Sequence, residues 1–170
     1  MQNEPSARDL ITSLDLEHHP EGGWYRETYR ATESFAGQGL PARFSGERVF
    51  STAIYFLLIK GEFSALHRIR SDELWHFYKG TTLTVHIFSP AGEYRQIKLG
   101  PDLDNEESFQ ATVPAGSWFG AEVTGLGDYA LVGCTVSPGF DFSDFEMASR
   151  ERLMADLPDH EKIILRLTRS

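Results

Sequence analysis

The sequence predicts an all-β fold, an antiparallel sandwich or closed barrel with short helices at both ends. Three observations predict it. Runs rich in Val, Ile, Phe, Tyr, Trp and Thr recur between residues 49 and 137, the composition that pleated, half-buried strands favour. Turn clusters such as Ser89-Pro90-Ala91-Gly92-Glu93 and Gly100-Pro101-Asp102 separate these runs at short intervals, a spacing characteristic of sandwiches and barrels. Helical periodicity is confined to the two ends of the chain.

The N-terminal helix is expected over about residues 6–16, with Ser6 as its cap and Leu10, Ile11 and Leu14 as its apolar stripe. Pro20 and Gly22-Gly23 end it and begin an extended run, Trp24 to Arg30, in which successive side chains alternate. Residues 32–47 read as a Gly- and Pro-punctuated loop. Val49 to Ile59 is the most apolar stretch and shows little alternation, so both of its faces should be covered, one of them by a second subunit. Strands are then expected at 63–69, 73–78, 82–88, 93–98, 108–113, 118–124 and 129–137. The barrel thus covers about residues 23–137, and two helices broken by Pro158 fill residues 149–168. One domain over 1–170 is expected, long enough to bury a sizeable core.

Composition narrows the function classes. A net charge of −9 argues against a nucleic-acid or anionic-membrane surface, both of which need clustered Lys and Arg. No window reaches the length of apolar sequence that a membrane helix requires. The start, Met1 to Leu10, lacks the basic and apolar pattern of a secretory signal, and Cys134 stands alone. A cytoplasmic protein with a small-molecule ligand is expected.

The most informative stretch is Gly61 to Gly80. Phe63, Ala65, His67 and Ile69 alternate onto one face of a strand, Arg70-Ser71-Asp72 turns the chain, and Glu73, Trp75 and Phe77 share a face of the next strand. If the two strands meet at that turn with these faces together, His67 and Glu73 enter one cavity walled by aromatic and aliphatic groups. His76 has the opposite parity to Glu73 and should point away, and His86 reads as a structural residue within an apolar strand.

The spacing Gly61, His67, Ile69, Glu73, Gly80 resembles the first signature of the cupin superfamily, and Val113-Pro114-Ala115-Gly116-Ser117-Trp118-Phe119 resembles the second. Two customary metal-ligand positions are filled by Ile69 and Phe119, which leaves His67 and Glu73. Four stretches in order are similar to one small cupin subfamily of unassigned function. They are His19-Pro20-Glu21-Gly22-Gly23 with Trp24 to Arg30, Ser71 to Gly80, Val113 to Trp118, and Leu131 to Met147. The resemblance implies a double-stranded β-helix or jelly-roll barrel, usually dimeric, with a cavity like that of the metal-independent deoxysugar-nucleotide epimerases. There a His and a Tyr serve as base and acid, which here gives His67 and one of Tyr25, Tyr29, Tyr55 or Tyr78.

Three readings follow. The first is a metal-independent binding protein or isomerase for a sugar-like or other small polar molecule. His67 and Glu73 would be its catalytic pair, and Trp75, Phe77, Phe119, Tyr55 and Arg26 would contact the ligand. Lys60, Arg68 or Arg26 would meet any substrate phosphate. No metal is expected in it. The second is a divalent-metal enzyme with His67, Glu73 and His76 as ligands. The third is a non-catalytic metabolite-binding module.

Overall fold

A computed structural model describes residues 4–169. In chain order its strands are β1 (Glu17–His18), β2 (Trp24–Arg30), β3 (Ser34–Phe35), β4 (Arg48–Val49), β5 (Thr52–Ile59), β6 (Phe63–Arg68), β7 (Asp72–Gly80), β8 (Leu83–Phe88), β9 (Tyr94–Leu99), β10 (Gln110–Val113), β11 (Trp118–Val123), β12 (Tyr129–Ser137) and β13 (Glu146–Met147). The helices are α1 (Ala7–Ser13), α2 (Arg150–Asp156) and α3 (Glu161–Arg166). Two antiparallel sheets, β1-β2-β5-β12-β7-β10 and β13-β6-β11-β8-β9, form a jelly-roll barrel, with β3 and β4 a separate ribbon.

Helices α1 and α2 start where a side chain satisfies their first free N–H groups. Ser6 and Asp9 form a reciprocal capping box on α1, and Ser149 caps α2. α1 lays Leu10, Ile11 and Leu14 over Leu57, Tyr129 and Leu131 on the outer face of the six-stranded sheet. One part of the second apolar face of β5 is therefore covered from within the chain. Leu74, Tyr29 and Tyr78 remain exposed on that outer side. α2 and α3 cover the other sheet through Leu153, Ile164 and Leu167, packed on Leu66 and Phe88. Between the sheets lies the main core, with Phe56, Trp75 and Phe119 its largest members.

Two expectations about the central stretch need correction. The Arg70–Asp72 turn does not close a hairpin, because β6 belongs to one sheet and β7 to the other. The chain crosses between the sheets there, and His67 and Glu73 line the cavity from facing walls of the barrel. In addition, strict alternation fails along β6. Phe119 pairs with His67 but Ala121 pairs with Ser64, so β6 carries one extra residue in a β-bulge. A bulge inverts the parity beyond it. Ser64 and His67 consequently share the inner face, while Phe63 turns outward to the α2–α3 cluster. A second bulge leaves Thr28 unpaired in β2, which returns Arg30 to the face of Tyr25 and Glu27.

Candidate functional site

A cavity of about 550 Å³ opens between the sheets. The six-stranded sheet gives it Tyr25, Glu27 and Arg30 from β2, Thr52, Ile54 and Phe56 from β5, Glu73 from β7, and Cys134 and Val136 from β12. The opposite wall supplies His67 and Ile69. Two irregular segments complete it, the turn bearing His19 and Glu21 and the loop Phe140-Asp141-Phe142, with Glu17 at the edge. The loop is pinned by Asp144, whose two carboxylate oxygens each accept from Arg48 at 2.7 Å in a buried bidentate pair.

The His19–Gly23 turn delivers the group on which the site centres. Gly22 and Gly23 both have positive φ, 109° and 75°, a region that side-chain-bearing residues rarely occupy. A Cβ on Gly22 would lie 2.3 Å from the Phe63 carbonyl oxygen, and one on Gly23 would lie 2.7 Å from the Phe56 ring. Glycine therefore lets the turn dock on the bulged part of β6, where the Ala65 N–H donates to the Glu21 carbonyl at 2.8 Å. Arg169 ties the turn from behind by donating to the Pro20 carbonyl. The result drives the Glu21 side chain into the barrel, where it is 6% exposed.

Glu21 then meets three groups. Its Oε1 accepts from the Ser64 hydroxyl at 2.9 Å. Its Oε2 lies 3.0 Å from His67 Nε2 and 3.3 Å from His19 Nδ1. His67 Nδ1 lies 2.7 Å from the Ala65 carbonyl oxygen, and a carbonyl can only accept, so Nδ1 carries a hydrogen. One further proton must occupy the Nε2–Oε2 contact, on either the imidazole or the carboxyl. Burial pushes Glu21 well above the usual carboxylate range, and nearby Glu73 pushes it further, against Ser64 and Arg169. Burial also pulls His67 down to about 3. Both directions place the proton on Glu21, which as a neutral acid donates to a neutral imidazole. His19, pulled down to about 4 by burial, is neutral as well. Its Nδ1 accepts from the Glu21 backbone N–H at 3.3 Å, so its hydrogen sits on Nε2.

Glu73 faces this assembly from β7, 8% exposed. Burial raises it to about 7, while the Cys134 thiol and the Trp75 indole N–H beside it act in the opposite sense. That indole nitrogen has no hydrogen-bond partner. Tyr25 lines the same space and is raised, first by burial and then by neighbouring Glu17. The buried acids of the cavity are thus one partnered and one poised near neutrality, beside two neutral imidazoles and a phenol, among Ile54, Phe56, Ile69 and Val136.

Among the residues expected from the sequence, His67, Glu73 and Ile69 line the cavity. The five expected ligand contacts do not. Phe119 lies behind His67, ring centroids 4.1 Å apart, and Trp75 packs edge-on to Phe56 and Phe119. Both are fully buried, and removing such a ring costs about 3–5 kcal/mol, so their role is core packing. Phe77 packs against the same core. Tyr55 and Arg26 have the parity of the outer face, where Tyr55 meets Tyr78 and Arg26 pairs with Asp15 and the Leu14 carbonyl. Lys60 and Arg68 are likewise outside, donating to the Gly125 carbonyl and to Glu146. His19, Glu21 and Ser64 were missed as site residues. The adjacent glycines of the turn were the available signal, since such a pair marks a backbone held in a special conformation.

The residues present do not suit the metal centre that the resemblance would suggest. His76 sits on the outer face, bonded to Thr135 and Gln110, and so cannot join His67 and Glu73. His67 Nε2 is engaged by Glu21, and the two remaining ligand positions are hydrocarbon, Ile69 and Phe119. Among the described residues, no three His, Cys, Asp or Glu side chains are grouped to hold a metal ion.

A jelly-roll barrel with a cavity between its two sheets is the architecture of the cupin class. The family described as the Cupin superfamily (DUF985) matches residues 8–148, and the chain belongs to it. It is similar to the uncharacterized protein YML079W of Saccharomyces cerevisiae, 27% identical over 181 residues, covering 95% of this chain and 85% of that one. Among solved structures, protein SO0799 from Shewanella oneidensis superposes with a TM-score of 0.87 at 42% identity, over 98% of this chain and 99% of that one. A hypothetical protein from Leishmania major gives 0.88 at 35%, over 98% and 100%. Oxalate decarboxylase from Bacillus subtilis, at 16% identity and a TM-score of 0.55 over 91% of this chain and 37% of that one, shares the fold.

Proposed function

We propose that the protein is a metal-independent acid–base enzyme of the isomerase or epimerase kind, acting on a small polar molecule bound in this cavity. One observation carries the reading. A buried carboxyl group poised near neutrality, Glu73, faces across the cavity a second carboxyl whose proton is already committed to His67. A group whose pKa matches the working pH is the most effective at both taking and returning a proton. In the simplest step, ionised Glu73 removes a proton from carbon next to a carbonyl. The C–H electron pair moves into a new C=C bond, and the carbonyl oxygen, taking up the charge, accepts a hydrogen bond or proton from the Tyr25 hydroxyl or His19 Nε2–H. Return of a proton to that carbon on the opposite face, as the enol oxygen gives its hydrogen back and the carbonyl re-forms, yields the epimer with no net redox change. Of the four tyrosines considered as the acid, Tyr25 is the one that lines the cavity.

The test begins with the molecule that copurifies with the protein, identified by native mass spectrometry. Its incubation in D₂O with EDTA-treated protein should place deuterium at one carbon position, and Glu73→Gln should abolish the exchange even at saturating ligand. Exchange that appears only on adding a divalent metal, or that survives Glu73→Gln unchanged, would overturn the reading. Binding without exchange in the wild type would leave a metabolite-binding module.

A further inference from the structure

The charge on the cavity walls restricts what can bind there. Five carboxyl-bearing residues line it, Glu17, Glu21, Glu27, Glu73 and Asp141, against a single guanidinium, that of Arg30. Arg30 is already committed. Its Nε and Nη2 donate to the two oxygens of Glu27 at 2.9 and 2.7 Å, and both Nη atoms also reach the Phe140 carbonyl. A phosphate or carboxylate entering this space would find no uncommitted cation among the lining residues, and burying an unpaired charge is costly.

Glu73 gives the opposite invitation. It is more than nine-tenths buried, it lines the cavity, and it has no ion-pair partner among the described residues, its near donors being only the neutral Cys134 thiol and Trp75 indole N–H. A ligand N–H⁺ would satisfy it. Near it the walls are hydrocarbon and aromatic, from Ile54, Phe56, Ile69 and Phe140, suited to a ring and to a cation over a ring face. Toward the opening, Glu17 and Asp141 are exposed and would draw in positive charge.

Building on the acid–base reading of this cavity, we propose that its ligand is a small organic cation, a ring-bearing amine or similar N–H⁺ donor whose charged end pairs with Glu73. Anionic substrates, sugar phosphates and nucleotide sugars among them, are excluded by the same geometry.

Benzylamine, benzyl alcohol and benzoate share a ring and differ in charge. Each is titrated into the protein and followed through the methyl resonances of Ile54 and Ile69, which report the cavity itself. Benzylamine should shift these methyls and bind about tenfold or more tightly than benzyl alcohol, as a charge-assisted bond to a buried partner implies. Benzoate should leave them unmoved. Glu73→Gln should remove the preference for the amine, and Asp141→Asn, at the rim, should weaken the salt dependence of benzylamine binding. Equal binding of amine and alcohol, binding of benzoate, or no methyl shift with benzylamine would each overturn the assignment. Those outcomes leave the deuterium-exchange result untouched, so the charge class and the proton chemistry fail separately.

Discussion

Two histidine–glutamate pairs, each with a buried imidazole, sit on opposite faces of the five-stranded sheet, and their third partners set them apart. On the inner face His67 Nε2 lies 3.0 Å from Glu21, and on the outer face His86 Nε2 lies 3.1 Å from Glu122. Both histidines are 3% exposed. The outer glutamate also receives the Arg166 guanidinium at 2.7 Å, from α3. His86 Nδ1 meets the Tyr94 hydroxyl at 2.9 Å, so the outer cluster ties β8, β9, β11 and α3 together. The inner glutamate has no guanidinium at contact distance among the described residues, and its neighbours are Ser64, a second histidine and the acid Glu73. A counter-charge in contact makes the outer pair a structural clamp, whereas the inner pair, with only Arg169 acting from farther off, stays neutral, with a proton that can respond to a ligand.

The largest expected effect tests the acid that sharpens this contrast. Glu73 has a folded-state pKa raised to about 7 from an ordinary 4.5. The folded chain therefore holds this proton more tightly than the unfolded chain. Its contribution to stability is complete below the ordinary value and is lost as pH rises through 7. Above that it disfavours folding by up to about 3 kcal/mol relative to low pH. Glu73→Gln should accordingly stabilise the protein at pH 8 and change little at pH 4. Chemical denaturation across that range measures the difference, and two parallel pH curves would refute the raised value. His67 and His19 act in the opposite sense, since their lowered values withdraw stability as pH falls below 6.5, which is why the mutant difference is the quantity to follow.

The same contrast explains how far the sequence could be read. The strands and the two capped helices were legible because they follow periodicity, turn composition and capping chemistry, all of which are local. The strands expected at 63–69, 73–78, 82–88, 93–98, 108–113, 118–124 and 129–137 appear as β6 to β12, with ends moved by one or two residues. His67 and Glu73 were legible as a pair from their spacing. What parity could not show was the bulge in β6, which puts Ser64 on the inner face and takes Phe63 off it. Nor could it show that the Arg70–Asp72 turn changes sheets. Glu21 was hidden for a different reason, since it belongs to a turn joining β1 to β2, and its burial arises from long-range docking of that turn onto β6. Tyr55 and Arg26 lie off the cavity through simple face assignment, because Thr52, Ile54 and Phe56 are the cavity-facing set on β5.

A middle-sized effect separates the two pairs directly. Glu21→Ala should cost about 1–3 kcal/mol by orphaning the Ser64 hydroxyl and His67 Nε2. Glu21→Gln should cost well under about 1 kcal/mol, because an amide offers the same donor to His67 and the same acceptor to Ser64 as the neutral acid does. At Glu122 the two substitutions should be nearly alike, each losing an ion pair worth about 1 kcal/mol or less in its partly exposed setting. Urea denaturation of the four variants gives the comparison. If Glu21→Gln proved as damaging as Glu21→Ala, the inner pair would be a carboxylate with an imidazolium, and the protonation scheme of the cavity would have to be reversed.

The smallest perturbation needs no mutation at all. At His67 the Ala65 carbonyl demands a hydrogen on Nδ1, and the protonated Glu21 occupies the Nε2 lone pair. At His86 a carboxylate held by Arg166 demands a hydrogen on Nε2, leaving Nδ1 to accept from the Tyr94 hydroxyl. Burial lowers both histidines, so each stays neutral near pH 7. Two rings in the same sheet should therefore hold opposite tautomers, Nδ1–H inside and Nε2–H outside. Two-bond ¹H–¹⁵N correlation spectra distinguish the protonated from the unprotonated nitrogen of each ring, with His67→Gln and His86→Gln serving for assignment. The expected pattern holds at pH 8 and pH 7, and adding benzylamine perturbs the His67 signals while leaving those of His86 in place. An Nε2–H tautomer at His67, or a doubly protonated ring there at neutral pH, would remove the proton from Glu21 and with it the distinction between the two pairs.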